Sequence, residues 1–550
     1  MADPTFARLR PGEPVSIFAV PGKHQLAAEE IRQALRGQSV QARPIAAAAR
    51  PTDSPAIVLA DASDLDVEIE RALGLENFGW LADDAYVARV RMTNGRPLVA
   101  LIGGGPTGAL YAAREFVDSW LGTTPEGVTI RAFDVRREPA LTYRMFWTWD
   151  HSTNWYLEQL GLQDSGSCNY YSKPKTGFVE DYRRLIDFMS RNRLNGVVIY
   201  GFLRDNHGGV EAAKEIARYG KERGVRVIPG VGINSYGGIY WEGNHHYNLG
   251  TWLRENPEMR AQLDKPLRFP MSHYGELACP SKPASRAYHQ EAIHWLSEEF
   301  EIGGINFETG DYGICQCPEC KGRRKDEGNW SIADIAELYP TLFDAARSAR
   351  PDVWLIGEAY FDNILDLSAI APLAQLPPET VCQYCINRAY WPRVQRELTA
   401  EHVSRLPLRT NVMRTHMGSQ WNRERYQPVA HTFADLARLV TTTGMQGMDV
   451  FGEVSSFSVV NEINALAYAA FAYARDVTWE QFVAGKLAPR LGGLSEADQY
   501  LRLLETPAEE GALRQAIGRS REVSAPLTDA EQHRRWTWLV NRLYQAKAML

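Results

Sequence analysis

The sequence lacks the features that mark several classes of protein. No run of Lys and Arg forms a basic patch, and the 550-residue chain carries a net charge of −7 at pH 7, which argues against a nucleic acid partner. No apolar run approaches the ~20 residues that a membrane-spanning helix needs. The first residues, Met1 to Arg8, contain no apolar core of a secretion signal. We therefore expect a cytoplasmic protein with neither a nucleic acid nor a membrane partner.

Cysteine is scarce, and its seven residues are an odd number without a regular framework. This usage fits reduced thiols better than a disulfide scaffold. Internal repeats and low-complexity tracts are also missing. Aromatic residues, in contrast, are abundant, with 15 Trp and 24 Tyr, and sugar-binding clefts use such rings as stacking surfaces. At this length we expect two or three domains.

The first 135 residues predict an N-terminal α/β accessory domain. Strand and helix patterns alternate up to a predicted hairpin with an Asn-Gly turn at Asn94 and Gly95. The motif Gly103-Gly-Gly105-Pro-Thr-Gly108 follows and matches a dinucleotide-binding fingerprint. A dinucleotide site needs this turn after the first strand of a parallel βαβ unit, whereas here it follows the second arm of a hairpin. We instead expect the glycines to let a helix pack closely on its sheet, and we predict no cofactor.

Residues 136–458 predict an α/β fold of the (β/α)8 TIM barrel type, because strands alternate with helical stretches. Residues 459–550 predict a helical C-terminal region. The eight predicted barrel strands cover residues 142–150, 196–202, 226–233, 304–308, 354–360, 380–385, 410–415 and 445–451. The long loop from Asn234 to about Ser285 carries aromatic and histidine residues, and we expect it to cover the site. These residues are Trp241, His245, His246, Tyr247 and Trp252.

Active sites of such barrels lie where the strands end, so the residues at those positions are the candidates. Several carboxylates and aromatics without a phosphate-binding loop favour a sugar substrate. Glycoside hydrolysis needs two carboxyl groups, one protonated and one ionised. We predict Glu308 as the acid, because an apolar run precedes it, and Glu358 as base or nucleophile, with Asp311 as a further catalytic candidate. A loop cap or a salt bridge to Arg204 or Arg414 is the alternative role for each carboxylate. The predicted substrate-binding residues are Trp147, Trp149, Asp150, Arg204, His207, Asn234, Trp241, Tyr360, Tyr384, Arg414, His416, Trp421 and Glu453.

Three cysteines follow the fourth strand with the spacing of a soft-metal ligand set, Cys315-x-Cys317-x-x-Cys320. Zinc normally takes four ligands, and the fourth would have to come from Cys279, from Cys382 or Cys385, or from a histidine. No second Cys-x-x-Cys pair lies in a position that plainly completes the set. We therefore favour packed free thiols or a local disulfide, and predict no metal.

Several segments resemble known carbohydrate-active enzymes. Gly108 to Phe116 is similar to the helix that closes the N-terminal domain of family 20 β-N-acetylhexosaminidases and family 67 α-glucuronidases. Residues 138–144 and 147–150 resemble the entry into their catalytic barrel, and 181–195 the helix before its second strand. The hexosaminidases carry an adjacent Asp-Glu pair after strand four, with the Asp orienting the acetamido group of the substrate. Here Phe307 precedes Glu308, so the resemblance does not extend to that pair.

The sequence thus predicts a glycoside hydrolase that removes a terminal sugar, of hexosaminide or uronide type, from an oligosaccharide or glycoconjugate. Its partner would be a carbohydrate substrate, and the enzyme could form a homo-oligomer. Two alternatives stay open. One is a carbohydrate-binding pseudoenzyme, and the other is a zinc-dependent hydrolase of amide or ester bonds.

Overall fold

The computed structural model describes the chain except for residues 1–4, 50–53, 76–80, 151–152, 155–173, 264–275, 309–314, 325–331, 360–362, 420–426, 453 and 456–457. Two compact units result. The first comprises Met1–Pro139 with Glu222–Gly224, and the second Ala140–Lys221 with Val225–Leu550. The helical C-terminal region thus belongs to the same compact unit as the barrel. The ends of the accessory domain at residue 135 and of the barrel at residue 458 stay predictions.

The first unit is an α/β domain with a six-stranded mixed sheet, in the order β3-β2-β4-β6-β5-β9, and a three-stranded sheet, in the order β1-β8-β7. Its strands are β1 (Thr5–Leu9), β2 (Pro14–Ala19), β3 (Ser39–Pro44), β4 (Ala56–Asp61), β5 (Tyr86–Thr93), β6 (Arg96–Gly103), β7 (Leu121–Thr124), β8 (Gly127–Arg131) and β9 (Asp134–Arg137). Its helices are α1 (Gln25–Ala34), α2 (Val67–Leu73) and α3 (Pro106–Glu115).

The glycine motif packs a helix onto this sheet, as predicted. Strands β5 and β6 are antiparallel, with Thr93 opposite Arg96 across the two-residue turn, so the turn of a parallel βαβ unit is absent at this point. A Cβ on Gly103 would lie 2.1 Å from the backbone nitrogen of Ala109 in α3. Glycine is therefore required at position 103 for the close approach of α3.

The second unit contains a closed barrel of eight parallel strands, in chain order. This confirms the predicted fold class, and each observed strand lies within two residues of its predicted limits. The strands are β10 (Tyr143–Trp149), β12 (Gly196–Tyr200), β13 (Arg226–Gly232), β14 (Gly304–Glu308), β15 (Trp354–Ala359), β16 (Val381–Ile386), β17 (Thr410–Thr415) and β18 (Gly447–Phe451). A separate parallel pair, β11 (Thr153–Asn154) and β19 (Val454–Ser455), follows the first and the last barrel strand.

Helices connect the strands. They are α4 (Lys175–Arg191), α5 (Gly209–Glu222), α6 (Leu249–Glu255), α7 (Pro283–Glu299), α8 (Pro318–Arg323), α9 (Ile332–Ala349), α10 (Leu367–Ile370), α11 (Trp391–Glu397), α12 (Ala400–Ser404) and α13 (Ala430–Thr443). The C-terminal helices are α14 (Val459–Tyr473), α15 (Trp479–Phe482), α16 (Ala488–Leu491), α17 (Leu494–Leu504), α18 (Glu510–Ser524) and α19 (Ala530–Ala548). Among the described helices, none combines the length and the apolar character that crossing a membrane requires.

Alternate residues of each barrel strand pack on different faces, as the two-residue period of a strand requires. The outward residues, such as Phe307, Leu355 and Met413, join the apolar layer under the helices. The inward residues form a separate cluster, which includes Trp147 and Ile356. The inner face therefore carries a different chemistry from the outer one.

Helix α14 forms hydrogen bonds with both the first and the last strand of the barrel. The N–H groups of Ala140 and Leu141, just before β10, donate to the carbonyl oxygens of Tyr473 and Ala472 at the end of α14. The Tyr468 hydroxyl donates to the carbonyl oxygens of Met448 in β18 and Met145 in β10, at 2.6 and 3.1 Å. The C-terminal region thus holds together the two strands that close the barrel.

Candidate active site

Glu308 and Glu358 end neighbouring strands at the same level of the barrel. Phe307 pairs with Gly357 in the parallel register of β14 and β15, and each glutamate follows one member of this pair. Two positions earlier, Asn306 and Ile356 face the interior, so both glutamates face it too. Their exposures are 5% and 2%. The structure therefore brings the two predicted catalytic carboxyl groups together at the C-terminal mouth.

Glu358 forms a buried bidentate ion pair with Arg414 of β17. Arg414 Nη1 lies 2.7 Å from Glu358 Oε2, and Nη2 lies 2.6 Å from Oε1. The thiol of Cys385 also donates to Oε1, at 3.4 Å. Because the guanidinium is permanently charged, it stabilises the ionised form of Glu358. Both carboxylate oxygens are engaged, which is the salt-bridge role that the sequence left open for this residue.

A chain of polar side chains crosses the interior below the glutamates. Tyr200 Oη donates to Asn306 Oδ1 and Asn306 Nδ2 donates to Gln383 Oε1, both at 3.0 Å, and Gln383 Nε2 donates to Asp449 Oδ2. Burial raises the pKa of Asp449 well above its usual range, although the Arg414 charge acts in the opposite direction. The interior therefore favours the protonated form of Asp449.

The candidate list from the sequence omitted these four residues. It was drawn mainly from the ends of the strands, whereas Asn306, Gln383 and Asp449 lie within them. Counting every second residue back from Glu308 gives Asn306. These residues can be recognised in the sequence as polar residues at the inward-facing positions, every second one, of otherwise apolar strands.

Aromatic rings fill the rest of the interior. Trp147 stacks on Tyr200 with ring centroids 4.2 Å apart, and Trp241 stacks on Tyr236 at 5.2 Å. Trp149 contacts Trp241 edge to face at 5.4 Å. A Cβ at position 230 of β13 would collide with the Tyr200 ring at 1.9 Å, so Gly230 makes room for this stack. The predicted tryptophans Trp147, Trp149 and Trp241 are therefore neighbours.

Asp150 and Arg204 form a second ion pair at the mouth, after β10 and β12. Arg204 Nε lies 2.7 Å from Asp150 Oδ2, and its Nη1 lies 3.0 Å from Glu242 Oε2. The guanidinium lies 5.3 Å from the centroid of the Trp241 ring. These contacts join the aromatic lining to the loop after β13, and they place Asp150, Arg204 and Trp241 in one group.

The two predicted histidines are both neutral. His207 stacks on Phe178 of α4 at 3.6 Å, and its Nε2 lies 2.7 Å from the Gly201 carbonyl oxygen. Burial lowers the pKa of His207 to about 4. His416 stacks on Phe451 at 4.1 Å, and burial lowers its pKa well below the usual range, with Arg414 adding to the effect. His207 thus lies in the packing between strand and helix, whereas His416 lies beside the inner aromatic cluster.

Three predictions about side chains differ from the structure. Tyr384 belongs to the outer apolar layer, because its neighbours Gln383 and Cys385 are the inward residues of β16. In the loop after β13, the Trp252 ring stacks on Tyr288 of α7 at 4.4 Å. Tyr247 donates from its hydroxyl to Glu291, also on α7, at 3.1 Å. Of the loop's predicted covering residues, Trp241 joins the inner cluster, whereas Tyr247 and Trp252 pack outside the barrel.

Asn234 lies at the mouth after β13, and four predicted site residues fall outside the described part of the chain. Asn234 is buried, and its carbonyl oxygen accepts from the Ala278 N–H at 3.0 Å. The four residues are Asp311, Tyr360, Trp421 and Glu453. Their predicted roles stay predictions.

The cysteines after β14 come together with Cys279, which is one of the possible fourth ligands in the sequence. The ligand atoms of Cys279, Cys315, Cys317 and Cys320 all lie within 4.8 Å of one another, and all four residues are buried. This group is close in sequence to Glu308 but separate from the inner cluster. Its set of four thiols is one that could hold a metal ion.

The fold belongs to the class of two-part structures in which a (β/α)8 barrel follows an N-terminal α/β domain. No family model matches the sequence, and no curated protein does. Solved structures do match. A β-N-acetylhexosaminidase from Bacteroides fragilis is 14% identical, with a TM-score of 0.56 over 88% of this chain and 92% of that one. A Flavobacterium johnsoniae chitobiase is 12% identical, with a TM-score of 0.55 over 92% and 73%.

A third match, the structure of CpGH84D, is 10% identical, with a TM-score of 0.56 over 100% of this chain and 88% of that one. The predicted resemblance to family 20 hexosaminidases is thus confirmed for the fold. At these identities the likeness concerns the fold and leaves the chemistry to the residues of the site.

Proposed function

We propose that this protein is a glycoside hydrolase that removes a terminal sugar of hexosaminide or uronide type. The observation that carries the proposal is the register of β14 and β15, which sets Glu308 and Glu358 side by side at the mouth. Two carboxyl groups on opposite sides of the scissile bond are what glycoside hydrolysis requires. The fold shared with hexosaminidases supports the same class of reaction.

Glu308 is the proposed acid, and it delivers a proton to the leaving oxygen. Burial raises the pKa of the neighbouring Tyr200 well above its usual range, and Glu308 in its ionised form and Glu358 add to the effect. The phenol therefore stays protonated and donates hydrogen bonds in this part of the site. When Glu308 gives up its proton and becomes negative, the neutral Tyr200 phenol beside it adds no second negative charge.

Glu358 is the proposed ionised partner, as base or nucleophile. Arg414 supplies a positive charge that favours the ionised form of this carboxylate although it is buried. Both carboxylate oxygens of Glu358 bond to Arg414. One of them must leave this bond before it can contact a water molecule or the anomeric carbon of the substrate. Asp311 is the alternative partner.

Two buried polar atoms support a hydroxyl-rich ligand. Trp147 Nε1 and Asn234 Oδ1 have no hydrogen-bond partner among the described residues. A buried polar group without a partner costs about 1–3 kcal/mol. A sugar that presents an acceptor to the indole and a hydroxyl to the amide oxygen would remove that cost.

The first experiment is a screen of nitrophenyl glycosides, including hexosaminides and uronides, followed by Glu308→Gln on the best substrate. Nitrophenolate leaves without protonation, so the variant should lose little on this substrate. On the matching natural or alkyl glycoside, kcat/KM should fall about 10²- to 10⁴-fold, which is the usual contribution of acid catalysis. The basic limb of the pH profile should disappear as well.

Glu301→Gln is the matched control, because Glu301 is an exposed carboxylate in the segment just before the same strand. It should leave both substrates unaffected. Equal activity of Glu308→Gln and the parent on the alkyl glycoside would contradict the proposal. Tight sugar binding without turnover in the parent would instead identify a carbohydrate-binding protein.

We also propose that the enzyme acts in the cytoplasm. All six cysteines among the described residues are free thiols, and this supports a reducing compartment. Fractionation of the producing cells, with the glycosidase activity as the marker, tests the localisation.

A further inference from the structure

The four thiols near β14 come from two parts of the chain. Cys315, Cys317 and Cys320 lie between the end of β14 and helix α8, whereas Cys279 lies just before α7. The Sγ atom of Cys279 is 3.7 Å from that of Cys317 and 3.8 Å from that of Cys320. All four side chains form a cluster of their own, apart from the other apolar clusters.

These distances match a tetrahedron of sulfur atoms around one zinc ion. A Zn–S bond of about 2.3 Å in tetrahedral geometry separates neighbouring sulfurs by about 3.8 Å. A disulfide would instead require two sulfurs at about 2.05 Å. Disulfide bonds join thiols only in pairs, whereas here all four sulfur atoms lie within 4.8 Å of one another, an arrangement that a shared metal ion explains and two disulfides do not need.

We propose that Cys279, Cys315, Cys317 and Cys320 bind one structural zinc ion. The set is closed, because four sulfur ligands leave no open position for a water or a substrate. The ion would therefore hold the fold and take no part in the chemistry. This conclusion also argues against the zinc-dependent hydrolase that the sequence left open.

Hydrogen-bond donors surround the sulfurs, as expected for thiolate ligands. The Gln262 N–H donates to Cys315 Sγ at 3.3 Å. Arg323 Nη1 donates to Ser281 Oγ at 2.8 Å, which leaves the serine hydroxyl to donate to Cys320 Sγ at 2.9 Å. Arg323 Nη2 lies 3.4 Å from the same sulfur.

Two arginines also offset part of the charge of the site. One Zn²⁺ with four thiolates carries a net charge of −2. Arg323 contacts Cys320 directly, and the buried Arg324 donates from Nε to the Cys320 carbonyl oxygen at 3.1 Å. Arg323 also pairs with the buried Asp334, so the two guanidinium groups offset only part of the negative charge that appears when the metal binds.

The ion would fasten the segment that carries the proposed acid to the loop after β13. Cys315 follows Glu308 by seven positions in the sequence. On the other side, the Cys279 N–H donates to the Met259 carbonyl oxygen at 2.9 Å, and the adjacent Ala278 bonds to Asn234. Both sides of the metal site therefore connect to residues of the mouth.

Zinc content of the full-length protein, purified under reducing conditions, tests the proposal without any assay of activity. Inductively coupled plasma mass spectrometry should find one zinc ion per chain. Replacement by Co²⁺ should give the visible bands of tetrahedral cobalt and a thiolate-to-cobalt charge-transfer band. The cobalt spectrum is recorded on the parent protein, so it does not depend on the folding of any variant.

Cys317→Ser should lower the zinc content well below one per chain and weaken the charge-transfer band. The matched control is Cys382→Ser, because Cys382 is an equally buried thiol in the outer face of β16. It should retain one zinc. A reduced parent protein that binds neither zinc nor cobalt would overturn the proposal, and so would a six-coordinate cobalt spectrum without a thiolate band. Disulfides within the cluster in protein kept reduced would overturn it as well.

Discussion

The inner and outer faces of the barrel are built on the same eight strands but differ in the polarity of their residues. The outer face, with Phe307, Leu355 and Met413, is an apolar layer beneath the helices. The inner face carries glutamate, arginine, asparagine and aspartate at positions as deeply buried as the outer ones. Adjacent residues of one strand thus serve two purposes. Outer residues stabilise the barrel by burial, and inner ones hold charges and hydrogen bonds in fixed positions.

The largest expected difference between the faces concerns Arg414 and its neighbour Met413. Arg414→Met leaves the buried Glu358 carboxylate without its positively charged partner, which should lower the free energy of unfolding by about 3–5 kcal/mol. Met413→Leu conserves volume on the outer face and should cost less than about 1.5 kcal/mol. Urea unfolding of the full-length chain measures both.

The double variant Arg414→Met, Glu358→Leu separates the two explanations of this loss. If the cost arises from the unpaired charge, removing Glu358 should restore much of the stability. A double variant less stable than Arg414→Met alone would show that the packing of the guanidinium, and not its charge, holds the inner face together.

The pH dependence of stability tests the buried Asp449. Burial raises the pKa of this carboxyl in the folded protein, so the folded state holds the proton to a higher pH than the unfolded chain, which releases it above its ordinary pKa of 3.8. The folded state thus binds more protons between the two pKa values, so the free energy of unfolding falls as the pH rises through this range. The slope is about 1.4 kcal/mol per pH unit.

Asp449→Asn accepts the same bond from Gln383 and has no proton to lose. Its free energy of unfolding, relative to the parent, should therefore increase from pH 4 to pH 7. The exposed residue Asp352 offers the matched control, Asp352→Asn, which removes a carboxyl group at the surface. Parallel curves for Asp449→Asn and the parent would mean that Asp449 is ionised in the folded protein.

The smallest difference is expected for a pair of tyrosines. Tyr200→Phe removes the inner bond to Asn306 and should cost about 1 kcal/mol or slightly more, since the amide oxygen loses its donor. Tyr384→Phe lies on the outer face beside Cys382 and should cost less. Thermal unfolding compares them, and activity on the best glycoside should fall only for Tyr200→Phe. Equal losses would remove the distinction between the faces.

The sequence predicts the barrel well because each strand is an apolar run between helical stretches, which is local information. The end of β14 at Glu308 follows from the same pattern. The ion pair of Glu358 with Arg414 joins strands five and seven, and nothing in the local sequence selects Arg414 over Arg204 as the partner. The fourth thiol is a similar case, because Cys279 precedes Cys315 by a long stretch of chain.

Other misses have a simpler cause. The position of Tyr384 near the end of a strand predicts a place at the mouth, but the two-residue period of β16 turns its side chain outward because Gln383 faces the interior. Tyr247 and Trp252 were expected to cover the site because their loop is long and aromatic. Their rings pack on α7, and only tertiary contacts decide between these two surfaces.

The fastening of β10 and β18 by helix α14 has a consequence for how the chain is made. Tyr468 bonds to Met145, 323 positions earlier in the sequence, so closure of the barrel is a contact of very long range, which is slow to form. During synthesis, all eight strands leave the ribosome before the helix that joins the first to the last. We therefore expect the nascent barrel to stay open until α14 emerges, and chains that stop before residue 459 to depend on chaperones.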